Sequence, residues 1–416
     1  MGSLARYHVT EVANSSEPDG LCPSDLPRTR RHGLEKPFFR SAQWSADGST
    51  IFTKSSANRV SSFVVPPDLL SPRESPLTLR PQGTIVLQEP SAAIAPCPSF
   101  SILDAGTQVL LTACSQTPIQ MLNCFPQAYA NSSEPQEQTS QAPVLGTYPL
   151  KIPETEAYPL VAALIWPWPN HLVAGAKDLI AVFDVNRPGA NIEPYLRIKT
   201  IPSRRHISKG HGVGIRGTVS ALAAQPGTDV IAAGMWSRKI GLYDMARGGE
   251  TVTMLGVENA LDGLAGEEGS GQGLPSPRDT GGRGIAQLLW SPCGKYLLVN
   301  ERKAHGLLVY DMRMSKLLAA CLTGRASETS QRLSCDVLGS KPDFRRTRVV
   351  VDETCLKLWS IRSMDPPQDS AEAEDAQPPD VDVEHMVSEH ASPAQQSFES
   401  GDSLLPRHLH EQGQGL

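Results

Sequence analysis

Residues 284–312 read GIAQLLWSPCGKYLLVNERKAHGLLVYDM, and the pattern they carry decides the architecture. IAQLLW alternates toward Trp290, Pro292-Cys293-Gly294 supplies a turn, YLLVNE is a second extended run, and LLVYD is a third that closes on Asp311. A period of two sends successive side chains to opposite faces, so these runs read as antiparallel strands joined by turns. Three short strands cannot bury both of their faces by themselves, and the segment therefore calls for neighbours of the same kind.

The sequence supplies them. The layout returns at 42–65, AQWSADGSTIFTKSSANRVSSFVV, where WSADGS matches WSPCGK and the turn is Asp47-Gly48. It returns again at 161–185, with Trp166 in the landmark position and a Pro169-Asn170 turn, and at 218–245, TVSALAAQPGTDVIAAGMWSRKIGLYDM. A weaker copy is read at 98–125, with its turn at Ala105-Gly106. From the first-strand landmark to the close of the third strand each unit runs about 18 to 21 residues, the dimension of the inner strands of a propeller blade. The expected fold is an all-β propeller of six or seven blades with disordered termini. A single antiparallel sandwich is the other architecture to weigh, but its strands have no reason to repeat one another.

Composition bounds the rest. With 34 Gly and 35 Pro against 6% aromatics, the chain suits many short strands better than long helices. The first twenty residues lack the apolar core of a secretory signal, and PLVAALIW at 159–166 is far shorter than a bilayer span. An intracellular chain with no membrane segment is expected. Eight cysteines include no Cys-x-x-Cys, so neither a zinc site nor a disulfide framework is signalled. The net charge of −6 divides unevenly: residues 363–416 hold 12 acids and a single base, Arg407, which leaves 37 bases against 32 acids in residues 1–362. A mildly basic body tolerates a polyanion, and an acidic tail repels one. The domain reading is a disordered N-terminal arm over 1–36, the propeller over 37–362 with disordered insertion loops near 127–157 and 258–284, and a disordered acidic tail over 363–416.

Three stretches carry a family resemblance. KPFFRSAQWSADGSTIFT at 36–53, VFDVNRPGANIEPYLRIKT at 182–200 and GTVSALAAQPGTDVIAAGMWSRKIGLYDM at 217–245 resemble the WD-repeat family of the telomerase Cajal body protein and its fungal, splicing-associated relatives. The resemblance covers roughly residues 36–335. It implies a WD-repeat propeller that binds small nuclear or Cajal-body RNAs within ribonucleoproteins, assists pre-mRNA splicing in fungi, and performs no catalysis. SQRLSCDV at 330–337 resembles the start of a late blade and FRRTRVVVDETCLKLWSI at 344–361 the closing strands of the last, with about a blade of sequence absent between them.

Candidate contacts follow from residue chemistry. Arg204, Arg205, Lys209 and Arg216 stand close together in the Gly-rich stretch RRHISKGHGVGIRG, where cations can track a phosphate backbone. That stretch also holds Gly212, Gly214 and Gly217 in dinucleotide-loop spacing, but the strand TVSALAAQ follows where a helix would be needed. Arg238 and Lys239 lie in a turn between the second and third strands of a blade, beside Trp236, which can stack a base or fill a gap between blades. Phe38, Phe39 and Arg40 precede the first strand; two adjacent aromatics cannot both face inward on a strand, so either one anchors the chain and the other meets a partner, or both pack under the N-terminal segment. Asp184, Asp244 and Asp311 recur because every blade closes on one, and no nucleophile, acid–base or metal-ligand constellation is present. The expected function is therefore a monomeric, nuclear, non-enzymatic WD-repeat scaffold without cofactor or metal, whose partners are a small nuclear or Cajal-body-type RNA and its ribonucleoprotein proteins. A protein-interaction hub such as a ubiquitin-ligase adaptor, with no direct RNA binding, is the competing expectation.

Overall fold

A computed structural model describes residues 7–15, 38–126, 143–201, 214–257, 282–313, 317–322, 332–335, 347–351 and 356–363. They form six four-stranded sheets. Five are built from successive stretches of chain, numbered here as blades one to five. The first blade takes Phe39–Trp44, Thr50–Ser55, Arg59–Val64 and Gly83–Val86 from inside to outside. The second takes Ser91–Pro96, Val109–Cys114, Ile119–Asn123 and Val144–Tyr148. The third takes Ala163–Trp168, His171–Ala176, Leu179–Asp184 and Leu196–Lys199. The fourth takes Val219–Ala224, Val230–Met235, Lys239–Asp244 and Glu250–Gly256. The fifth takes Ile285–Trp290, Tyr296–Glu301, Leu307–Asp311 and Leu317–Leu322. The chain is an all-β propeller of the WD-repeat type.

Local chemistry explains the recurrence. In blades one, four and five the first hairpin turns on a glycine in the left-handed region, Gly48 at φ +72°, Gly227 at +73° and Gly294 at +68°, which a side chain would strain. The turn after the third strand is held by the closing aspartate. Asp184 Oδ1 accepts from Asn186 N at 2.9 Å, Asp244 Oδ1 from Ala246 N at 3.0 Å, and Asp311 Oδ1 from Arg313 N at 3.0 Å. These acids are structural caps of the kind that short polar side chains supply in turns. The landmark tryptophans Trp166 and Trp290 are buried, and Trp290 Nε1 donates to Ala223 O of the preceding blade at 3.3 Å.

Small residues let the blades meet. A Cβ on Gly234 would lie 2.6 Å from Ile285 Cγ2, and one on Gly175 would lie 2.5 Å from Val219 Cγ1. In each case the second strand of one blade is pressed against the first residue of the next blade's inner strand. The apolar core accordingly runs as clusters that cross blade boundaries, for instance Ile240 and Leu242 with Ile285 and Leu288.

The sixth sheet differs. Its order places Thr347–Val351, then Leu356–Ser363, then Tyr7–Ser15, then Leu77–Thr78. Tyr7 pairs with Ser363 and Ser15 with Leu356 in an antiparallel register broken by a bulge between Glu11 and Ala13. Ala13 and Asn14 pair in parallel with Leu77 and Thr78.

Three expectations change. Tyr7–Ser15 is a strand, although the sequence reading put it in the N-terminal arm; its partner is far away in sequence, so no local hairpin pattern announces it. Val144–Tyr148 is the outer strand of the second blade, within the stretch read as an insertion loop. The inner strand of that blade is Ser91–Pro96, not the segment from 98 onward, because Asp104 caps a 3-10 turn over Ala105–Thr107 and holds the chain out of extended geometry. The rest of the arm, most of the two insertion loops and the acidic tail lie outside the described residues.

Candidate nucleic-acid interface

The inner strands of all five consecutive blades converge on a cavity of about 840 Å³. Its walls carry four cations, Arg40, Lys54, Arg302 and Arg332, and three aromatic residues, Phe38, Phe39 and Trp236, with no carboxylate among the described lining residues. The cations sit where the inner strands begin and the second hairpins turn, so they share one end of the ring.

Each is held differently. Arg40 is exposed, and its guanidinium lies over the Phe38 ring at 5.9 Å. Both rings border the cavity, but Phe38 is half-buried while Phe39 is 4% exposed and packs edge-on to Phe63, so Phe39 is the anchor of the pair. Lys54 is the penultimate residue of the second strand of the first blade and donates from Nζ to Ser91 O at 3.2 Å and Ala92 O at 3.0 Å. Burial, followed by repulsion from Arg332 and Arg40, pulls its ammonium down to about 8. Arg332 reaches the cavity from the segment Arg332–Cys335, which Gln287 grips by pairing its amide with Cys335 N at 2.8 Å and Cys335 O at 2.9 Å. Its guanidinium donates to Ala286 O at 2.6 Å and Ser220 O at 2.7 Å, and burial together with Arg302 lowers its affinity for a proton. Arg302 lies over the Trp236 ring at 5.8 Å, and its Nε is buried without a hydrogen-bond partner among the described residues. Trp236 is 46% exposed, large for an indole that serves only to fill space.

The sequence-derived candidates separate into groups. Phe38, Phe39, Arg40 and Trp236 share the cavity. Arg216 is exposed beside them, with its carbonyl accepting from Ser237 Oγ at 3.0 Å, and Lys239 is exposed at the start of a third strand. Arg238 is committed elsewhere: it holds φ +61° and pairs with the buried Glu301 of the fifth blade. Arg204, Arg205 and Lys209 lie outside the described residues. Lys54, Arg302 and Arg332 were not anticipated. A signal for Lys54 was available, since one lysine interrupts an otherwise neutral second strand, TIFTKS.

Such an arrangement suits polyanions. Unbalanced cations in a partly desolvated concavity concentrate positive potential, and neighbouring aromatic faces accept bases irrespective of sequence. Among the described residues no group of three His, Cys, Asp or Glu is placed to hold a metal ion, and no helix is long and apolar enough to cross a membrane.

No protein-family profile matches the chain. It is similar to Telomerase Cajal body protein 1 of Rattus norvegicus, with 23% identity over 303 residues, covering 72% of this chain and 47% of that protein. The protein of the same name from Homo sapiens is also 23% identical, covering 72% of this chain and 46% of its own length. The chain thus spans about half the length of the curated relatives it matches. Among solved structures, a chain in a crystal structure of the mitotic checkpoint complex aligns at a TM-score of 0.42 and 15% identity over 79% of this chain and 76% of that one.

Proposed function

We propose that the protein is a non-enzymatic nuclear WD-repeat scaffold that binds small nuclear or Cajal-body-type RNA in its ribonucleoproteins and assists splicing or particle assembly. The observation that carries this reading is the axial cavity, where Arg40, Lys54, Arg302 and Arg332 stand without a carboxylate beside Phe38 and Trp236. Relatives whose name places them in Cajal bodies support the nuclear and ribonucleoprotein parts. Arg216 and Lys239, exposed on the adjoining blade, extend the positive surface outward, and the loop cations Arg204, Arg205 and Lys209 belong to the same proposal.

Crosslinking in nuclear extract followed by sequencing of the bound RNA tests the proposal. Recovery of small nuclear or Cajal-body RNAs supports it; recovery of protein partners with no RNA crosslink favours the adaptor reading instead. Binding to single-stranded RNA should also weaken with salt, the slope falling by about 0.7 for each phosphate contact removed. A salt-independent affinity would sink the electrostatic part.

A further inference from the structure

At one second-strand position three blades carry Gly or Ala and two do not. The second-strand position opposite the third residue of the inner strand is Ala113 opposite Ala93 in the second blade and Gly234 opposite Ala221 in the fourth. Gly175, opposite Ala163, takes the corresponding place in the third. At Gly175 and Gly234 there is no room for a Cβ. In the first blade the same position, opposite Ser41, is Lys54. A lysine at a site that three other blades fill with Gly or Ala works against burial, and among the described residues its ammonium finds two backbone carbonyls, from Ser91 and Ala92. The fifth blade departs too. Its equivalent, Asn300 opposite Gln287, donates to Leu333 O at 2.8 Å and so helps fix the segment that delivers Arg332 to the same cavity.

We infer that the axial cavity is a binding pocket for one nucleotide unit, with Lys54 and Arg332 receiving its phosphate and the open face of Trp236 its base. Lys54, half-buried, and Arg332, exposed, line the same space as Arg302, and a phosphate would complete the acceptor set that the Ser91, Ala92, Ala286 and Ser220 carbonyls begin. The volume falls within the range of small-ligand pockets. One indole face meets Arg302, which leaves the other for stacking. The unit is either a free mononucleotide or one nucleotide of a bound RNA; only the second source rests on the RNA reading above.

Calorimetric titration of the full chain with AMP, inorganic phosphate and a short single-stranded oligoribonucleotide separates the possibilities. AMP should bind, and Lys54→Met should weaken it at least tenfold while Lys54→Arg restores most of the affinity. Trp236→Leu should weaken AMP but not inorganic phosphate. Acylation of Lys54 in the unaltered protein, read by mass spectrometry, should be slowed by AMP, which keeps the test valid if Lys54→Met fails to fold. Absence of AMP binding, or AMP binding and acylation indifferent to Lys54, overturns the pocket; equal affinity for AMP and inorganic phosphate overturns the role of Trp236. If AMP binds and the oligoribonucleotide does not, the pocket stands and the RNA reading falls. If the oligoribonucleotide binds undiminished in Lys54→Met while AMP fails, the RNA reading stands and the pocket falls.

Discussion

Arg238 and Glu301 form a two-pronged ion pair across the boundary between the fourth and fifth blades, with Nε to Oε1 at 2.8 Å and the second guanidinium nitrogen to Oε2 at 3.0 Å. The carboxylate side is 1% exposed and the guanidinium side 16%. That asymmetry decides what each deletion costs. Arg238→Ala strands a carboxylate in the interior and should cost about 3–5 kcal/mol, the penalty of an uncompensated buried charge. Glu301→Ala leaves a guanidinium at the rim that can turn to water, and should cost distinctly less. Denaturant melts of the two variants measure the difference, and equal losses would mean that the pair is not held as described.

Lys54 links stability to pH. Its folded-state pKa lies near 8 against an ordinary 10.5, so between those values the unfolded chain binds more protons than the folded one. Stability should therefore rise as pH climbs from about 8 to 10.5, by about 3 kcal/mol at most, and the penalty should be fully present below 8. Lys54→Met should flatten that rise. Near neutral pH it should leave the fold at least as stable as the parent, although the Ser91 and Ala92 carbonyls lose a donor worth about 1 kcal/mol each. Thermal melts across pH 7 to 10.5 check it: a parent curve with no rise over that range refutes the assignment.

The second hairpin of every consecutive blade turns on a non-glycine residue in the left-handed region: Asn58, Gln116, Asp178, Arg238 and Lys303. Asn and Asp tolerate this conformation, whereas an exposed glutamine at φ +59° carries a steric cost with no visible return. Gln116→Gly should stabilise the protein by about 0.5–1 kcal/mol, and Asn58→Gly should change little. A destabilised Gln116→Gly, seen in the same melts, would show that the side chain has a role its geometry does not reveal.

Pairing of Tyr7–Ser15 with Leu356–Ser363 makes the N-terminal strand part of the core. Ala13 is fully buried with Phe39, Ile51 and Phe63. Deleting residues 1–15 should lower the melting temperature and expose a strand edge that promotes self-association, and a synthetic peptide of residues 7–15 should reverse both. Size-exclusion chromatography with and without the peptide reads the outcome; a deletion variant as stable and monomeric as the parent would contradict the pairing.

What could be read in advance followed the strength of local signals. The hairpins around Asp47-Gly48 and Cys293-Gly294 announce themselves because turn and flanking strands lie within one short window. Outer strands such as Gly83–Val86 and Leu196–Lys199 do not, being four residues long with little alternation. The candidate interface was half legible. Trp236 and Arg40 stand out as chemistry in a turn or at a strand start, but Lys54, Arg302 and Arg332 come from the first blade, the fifth blade and a later segment, and only closure of the ring brings them together. Arg238 shows the opposite failure, a turn cation whose partner across the blade boundary no local reading supplies.

Pairing of the strand at 7–15 with the distant strand at 356–363 also sets an order in time. On a ribosome adding about 5–20 residues per second, the strand at 7–15 would emerge roughly twenty seconds to a minute before its partner at 356–363 exists. Through that interval the nascent chain carries an unpaired edge that neither early blade can satisfy. The strand at 356–363 therefore acts as a latch. Until it arrives the fold has a seam, and any binding that needs all the blades in register must wait for it.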